Sequence, residues 1–183
     1  MSISIKMDDV PPYEALVNAL NRAKLDPHHK ALLAVLIYTG CRLGEALNLK
    51  LKDLDRKRKT IVIRQEKKSK PHPRVIPVPS RNFWNIINEY LRKSFVRDRL
   101  FEMTDRNARQ VIYNFSKKYL KRRIRPHAIR HSYATFLMRK TKDLELVRRM
   151  LGHSDYKVVR AYMNYTQEDL EEELTEIFEE IEK

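Results

Sequence analysis

Residues 27–49 read PHHKALLAVLIYTGCRLGEALNL, and this stretch decides what kind of fold the chain forms. Pro27 suits a first helical turn, where a missing N–H costs nothing. Leu32, Leu33, Leu36 and Ile37 then make the helix strongly apolar, and nothing between Ala31 and Thr39 is charged, so the helix is expected to be buried. Gly40 interrupts it ahead of a third helix, expected over roughly 43–49.

Working outward from there, Pro11 and Pro12 open an earlier helical pattern in which Leu16, Val17 and Leu20 recur at helical spacing. Beyond residue 49 the period changes. Thr60–Gln65 (TIVIRQ) and Arg74–Val78 (RVIPV) are short and β-branched, and the basic segment EKKSKPHP joins them. This predicts an antiparallel hairpin with Pro77 on an edge or near a strand end. From Ser80 onward helices are expected over about 80–95, 104–120, 127–140, 143–151, 155–163 and 168–181. Thr104 and Asp143 fit N-caps, and Gly152 fits a C-terminal stop. The expected class is mainly α (α+β): a helical domain with a small antiparallel β-hairpin or sheet.

Charge narrows the function. The 183 residues carry a formal net charge of +14. The segment 167–183 holds nine acids and one base, so residues 1–166 carry +22 against its −8. A field of that size favours a polyanion such as nucleic acid, with general solubility as the plainer explanation. Cys41 is the single cysteine, which rules out an intrachain disulfide and fits a reducing cytoplasm. No apolar run approaches the ~18 residues of a membrane span, and residues 1–10 lack a secretory apolar segment. A soluble, cytoplasmic protein associated with the nucleoid or acting in a host cell is expected.

Four local patterns carry chemistry. In TGCRLGEAL (39–47), Arg42 opens a helix just after a glycine break, so guanidinium and helix-start amide can meet a phosphate together. Glu45, three residues on, can reach back to fix the Arg42 fork; an ordinary surface ion pair is the equal alternative. In PHAIRH (126–131), His127 and Arg130 share one face of a first helical turn, bringing a proton carrier beside a planar phosphate fork. His127 and His131 stand at metal-ligand spacing, but Arg130 lies between them and no glutamate base follows, so no metal is expected. His131 also reads as a core histidine. In LGHSD (151–155), Gly152 leaves His153 at a turn, with Tyr162 nine residues after it. Lastly, Lys67, Lys68 and Lys70 sit on the hairpin loop, where they can hold a DNA backbone or deliver a proton.

Taken in chain order, TGCRLGEAL, a lysine ahead of RVIP, HAIRHSYAT, LGHS and the downstream tyrosine resemble the tyrosine recombinases, the phage and Xer integrases. The resemblance runs from about Ala31 to Tyr165. It implies a site-specific recombinase or integrase that cleaves and rejoins DNA through a covalent 3′-phosphotyrosine. Arg42 and Arg130 then bind the scissile phosphate, Lys68 protonates the leaving 5′ oxygen, and His127 assists proton transfer. His153 hydrogen-bonds the phosphate, and Tyr162 is the nucleophile. Glu45 supports Arg42, while Lys67 and Lys70 contact DNA or replace Lys68, because the loop before RVIP runs about one residue longer than is usual. Tyr165 competes with Tyr162, and Tyr156 is nearby.

No Gly-rich phosphate loop or carboxylate cluster appears, so no cofactor is expected. The expected partner is double-stranded DNA, bound by a homo-oligomer (a tetramer) that is monomeric when free. The expected organisation is an arm over 1–10, a catalytic domain over 11–166 and an acidic helix over 167–183, without the N-terminal core-binding domain that such enzymes carry. In the acidic helix Leu170, Leu174, Ile177, Phe178 and Ile181 form an apolar stripe that packs on its own domain, docks on a neighbouring protomer or covers the basic cleft. Two other functions fit the same residues: a non-catalytic DNA-binding module, and a DNA-relaxing enzyme of the topoisomerase IB kind.

Overall fold

The computed structural model describes residues 10–65 and 73–152, together with Thr175 and Phe178. Three helices come first: α1 (Tyr13–Arg22), α2 (Pro27–Thr39) and the single-turn α3 (Leu43–Leu47). A three-stranded sheet of β1 (Leu54–Asp55), β2 (Thr60–Ile63) and β3 (Arg74–Pro77) follows, then α4 (Arg81–Lys93), α5 (Asp105–Leu120), α6 (Pro126–Thr141) and α7 (Leu144–Leu151).

Helix α2 is the centre, as its composition requires. Every residue from Ala31 to Ile37 is buried, and the helix touches α1, α3, α4, α5 and α6. Each fully buried leucine there contributes about 2 kcal/mol of transfer free energy. Asp26 caps its start, accepting from the His28 amide at 2.9 Å, with Pro27 in the first turn. Gly40 ends it in the left-handed region (φ 59°). A Cβ at Gly40 would lie 2.3 Å from the Tyr133 ring, so α6 approaches there as closely as only a glycine allows.

The outer helices show amphipathic order. In α4, Phe83, Trp84, Ile86, Ile87 and Tyr90 face inward while Asn82 and Glu89 face out. The caps at Thr104 and Asp143 form as the sequence predicts, each side chain accepting an amide three residues on. A smaller cluster of Tyr133, Ala134, Met138, Val147 and Leu151 joins α7 to α6. Gly152 follows α7 at φ 67°.

The sheet differs from the expected hairpin in one respect. A third strand, β1, pairs antiparallel with β2, placing Leu54 opposite Ile61. Two residues are too short to display a period of two, so the sequence offers no signal for it. The third helix stops at Leu47 rather than Leu49, and β2 stops at Ile63, opposite Arg74, beyond which Pro73 has no N–H to continue the pairing. Strand β3 is an edge strand with Pro77 at its end, as predicted for that proline, and stops one residue short of the expected Val78. Among the described residues no helix is long and apolar enough to cross a membrane. The helices predicted over 155–163 and 168–181 lie outside the described residues, apart from Thr175 and Phe178, which are helical.

Candidate active site

Two of the predicted residues meet where α2 breaks. Arg130, on the second turn of α6, is buried at 4% exposure and donates from Nη1 to the Gly40 carbonyl at 2.7 Å. Its Nη2 donates to the Leu151 carbonyl at 2.8 Å, so two bonds fix the plane of the guanidinium. Arg42 stands two residues beyond Gly40 as the N-cap of α3. Its side chain keeps 39% exposure, leaving part of its fork toward solvent. The break at Gly40 thus brings an anchored arginine from one element beside an outward-facing arginine from another.

Glu45 organises this pair more than the sequence suggests. Its carboxylate is 1% exposed and accepts from the Arg42 amide at 2.8 Å and from Arg42 Nη1 at 3.2 Å. The Arg42 amide, expected to face a phosphate, is therefore occupied by Glu45, and only the guanidinium is presented. The fork of Arg74 takes the same carboxylate, Nη1 to Oε1 at 3.1 Å and Nη2 to Oε2 at 2.8 Å. Burial pushes the Glu45 carboxyl upward, but the Arg74 hydrogen bonds and charge, the Arg42 amide and the Arg130 charge outweigh it. It titrates below the ordinary carboxylate value of 4.5. Two guanidinium groups bind one carboxylate, and the Arg130 charge acts on it as well, so positive charge remains in excess where an anion would dock.

Arg74 is the residue that sequence reasoning missed. The signal was in the strand alternation: Ile76 is buried while Val75 and Pro77 are exposed, so Arg74 lies on the inward face of β3. A buried guanidinium requires an acid, and Glu45 supplies it.

His127, on the first turn of α6, and Arg130, on the second, differ in depth. Arg130 reaches inward, while His127 is exposed at the rim. Partial loss of hydration, then the charges of Arg130, Arg42 and Arg109, lower the His127 pKa below 6.5, so its imidazole is neutral at neutral pH. A neutral imidazole beside guanidinium groups accepts a proton rather than donating one. Arg109, from α5, is a second basic neighbour that the motifs did not flag. His131 is half-buried, and burial followed by the charges of His127 and Arg130 lowers its pKa as well.

Burial deactivates the other candidate nucleophiles near this point. Desolvation pushes the Cys41 thiol up to about 11. Tyr133, packed on Gly40, is pushed far above the ordinary phenol range by burial. The remaining described tyrosines are engaged elsewhere: Tyr13 and Tyr90 donate to the Ile37 and Leu100 carbonyls, Tyr38 and Tyr119 accept hydrogen bonds, and Tyr113 lies under Arg123. Lys67, Lys68, Lys70, His153, Tyr162 and the competitors Tyr156 and Tyr165 lie outside the described residues.

Comparison with known proteins agrees with the helical fold and its small antiparallel sheet. The model of the phage integrase family matches residues 9–169. Tyrosine recombinase XerA of Thermococcus onnurineus (strain NA1) is 33% identical over 152 residues, covering 76% of this chain and 52% of that protein. The crystal structure of XerA recombinase superposes with a TM-score of 0.73 at 26% identity, covering 96% of this chain and 65% of that one. XerH site-specific recombinase, solved bound to difH substrate as a pre-cleavage complex, shares the fold at a TM-score of 0.74 and 24% identity, covering 91% and 53%. The chain spans about half the length of the curated relatives it matches. A helical domain with a small sheet, the two arginines meeting at the Gly40 break and a family match over most of the sequence lead to one assignment: the chain belongs to the phage integrase family.

Proposed function

We propose that this chain is the catalytic domain of a site-specific DNA recombinase or integrase, cleaving and rejoining double-stranded DNA through a 3′-phosphotyrosine on Tyr162. The observation that carries this reading is that Arg130 binds the Gly40 carbonyl two residues before Arg42, with His127 close enough to feel both guanidinium charges. In the step proposed, the Tyr162 oxygen attacks the phosphorus and the P–O5′ bond breaks. The phenol proton passes to His127, and Lys68 donates a proton to the departing 5′ oxygen. Arg42, Arg130 and His153 stabilise the charge that builds on the non-bridging oxygens. The ester conserves bond energy, so the reverse attack by a 5′ hydroxyl reseals the strand without ATP. Lys67 and Lys70 hold the adjacent DNA backbone.

A phenol of pKa near ~10 is a poor nucleophile in neutral solution, so it needs this basic surrounding. Burial raises the phenols of Tyr13, Tyr90 and Tyr133, and the resemblance points to Tyr162 ahead of Tyr165 and Tyr156. The names of the relatives support the reaction class. On DNA the chain acts as a homo-oligomer, a tetramer, while residues 11–166 form the catalytic unit.

The test uses nicked duplexes with randomised sequence around the nick, which trap a covalent complex resistant to denaturation. Wild-type and Tyr165→Phe proteins are expected to form the complex, and Tyr162→Phe is expected to form none. Replacing Arg42 or Arg130 by alanine should slow formation by about 100- to 1000-fold. A complex that persists in Tyr162→Phe and vanishes in Tyr165→Phe would reassign the nucleophile.

A further inference from the structure

The last turn of α7 ends in three successive carbonyls, each taken by a side chain from a different element. Arg74 Nε, from β3, donates to the Met150 carbonyl at 3.0 Å. Arg130 Nη2, from α6, donates to Leu151 at 2.8 Å. Gln65 Nε2, from the segment after β2, donates to Gly152 at 2.6 Å. Helix C-termini leave carbonyls without intrahelical partners, and most find water. Here they are gripped from three directions.

Glycine at 152 is required by the same grip. A Cβ on Gly152 would lie 2.8 Å from Arg74 Nη1 and 2.9 Å from Gln65 Nε2, and the residue already sits at φ 67°. The two side chains therefore fill the space against the turn. Arg74 is also the residue whose fork holds Glu45, and Glu45 holds both the amide and the guanidinium of Arg42.

We propose that Arg74 is a positioning residue, a two-sided brace that couples the Arg42–Glu45 unit to the end of α7. With Gln65 and Arg130 it sets where the chain leaves that helix. The residue that follows in sequence is His153, so one guanidinium ties the phosphate-facing arginine to the departure point of the segment carrying His153 and Tyr162. Gln65 closes the sheet segment onto the same turn, just before the lysine-bearing loop. Reading the brace as serving strand cleavage rests on the proposed recombinase function; the brace itself does not.

A merely structural arginine, when altered, would lower stability, DNA affinity and rate together. A positioning arginine loses rate while affinity persists, because misplacement by about 1 Å suffices to slow a step about 100-fold. The test compares wild type with Arg74→Lys, which keeps the charge but cannot span Glu45 and Met150 together. It records covalent complex formation at saturating nicked duplex, duplex affinity, and amide hydrogen exchange of the peptide spanning residue 152.

The brace predicts a rate loss of about 10- to 100-fold in Arg74→Lys, affinity within about 3-fold, and faster exchange at the turn. A rate within about 3-fold of wild type with unchanged exchange would overturn it. So would parallel losses of affinity and rate. If wild type itself forms no covalent complex, the recombinase reading fails separately, and exchange alone decides: faster in Arg74→Lys upholds the brace, unchanged refutes it. Should Arg74→Lys not fold, Gln65→Ala replaces it, since its bond reaches only the Gly152 carbonyl. The expected loss there is about 10-fold in rate, and none at all would overturn the proposal.

Discussion

Gly40 is where the basic site and the core meet, and its backbone leaves no room for another residue. Its φ of 59° and the Tyr133 ring at 2.3 Å from a would-be Cβ act together. Gly40→Ala is expected to destabilise the domain by about 3 kcal/mol, combining left-handed strain with overpacking, as read from urea unfolding. The histidines set the acid limb of stability. His28, stacked on Tyr90 and Phe101, is lowered first by burial and then by His29; His127 and His131 are lowered as described. Each folded-state value lies below the unfolded 6.5, so the unfolded chain binds more protons on acidification. Their contribution is complete above about 6.5 and is lost as pH falls through the lowered values. The melting temperature should be level above neutrality and fall below about pH 6.5, and His28→Phe should soften that fall. At this scale Arg42, Glu45, His127 and Arg130 were legible because each sits in a local motif. Arg74 was not, since its partners lie 29 and 76 positions away and no window of sequence contains them.

Among the elements, the ones written in strong periodicity were legible and the short ones were not. Helices α4 to α7 begin and end within about two residues of where their caps and patterns place them, which is the precision such signals carry. Thr104 shows why: its hydroxyl accepts the Asn107 amide at 3.1 Å and fixes the first turn of α5. Thr104→Ala should cost about 1 kcal/mol in thermal or urea unfolding while leaving Arg42 and Arg130 in place. Strand β1 was missed because two residues carry no alternation, and its reality depends on pairing with β2. The third helix was overestimated by two residues. Its last turn is replaced by the bond from the Leu49 amide to Ala46, after which Leu51 and Leu100 cross-bond the connecting segments. Both departures come from tertiary pairing rather than from local propensity.

For the molecule as a whole, the charge agrees with the DNA partner proposed above. The chain has 38 lysines and arginines against 24 acids, and the acids concentrate after residue 166. A body of this charge that grips DNA releases counterions, with a log–log salt slope of about −0.9 per phosphate neutralised. The slope for duplex binding should be steeper than about −4 between about 50 and 200 mM salt, measured by fluorescence anisotropy. A shallow slope would indicate that the basic surface faces solvent rather than DNA. The proposed covalent bond is read by incubating the chain with the nicked duplex pool, denaturing, digesting and mapping the nucleotide-bearing peptide by mass spectrometry. A single modified residue is expected, Tyr162, joined to a 3′ phosphate. Modification at a different side chain, or recovery of intact protein alone under conditions where it binds the duplex, would contradict it.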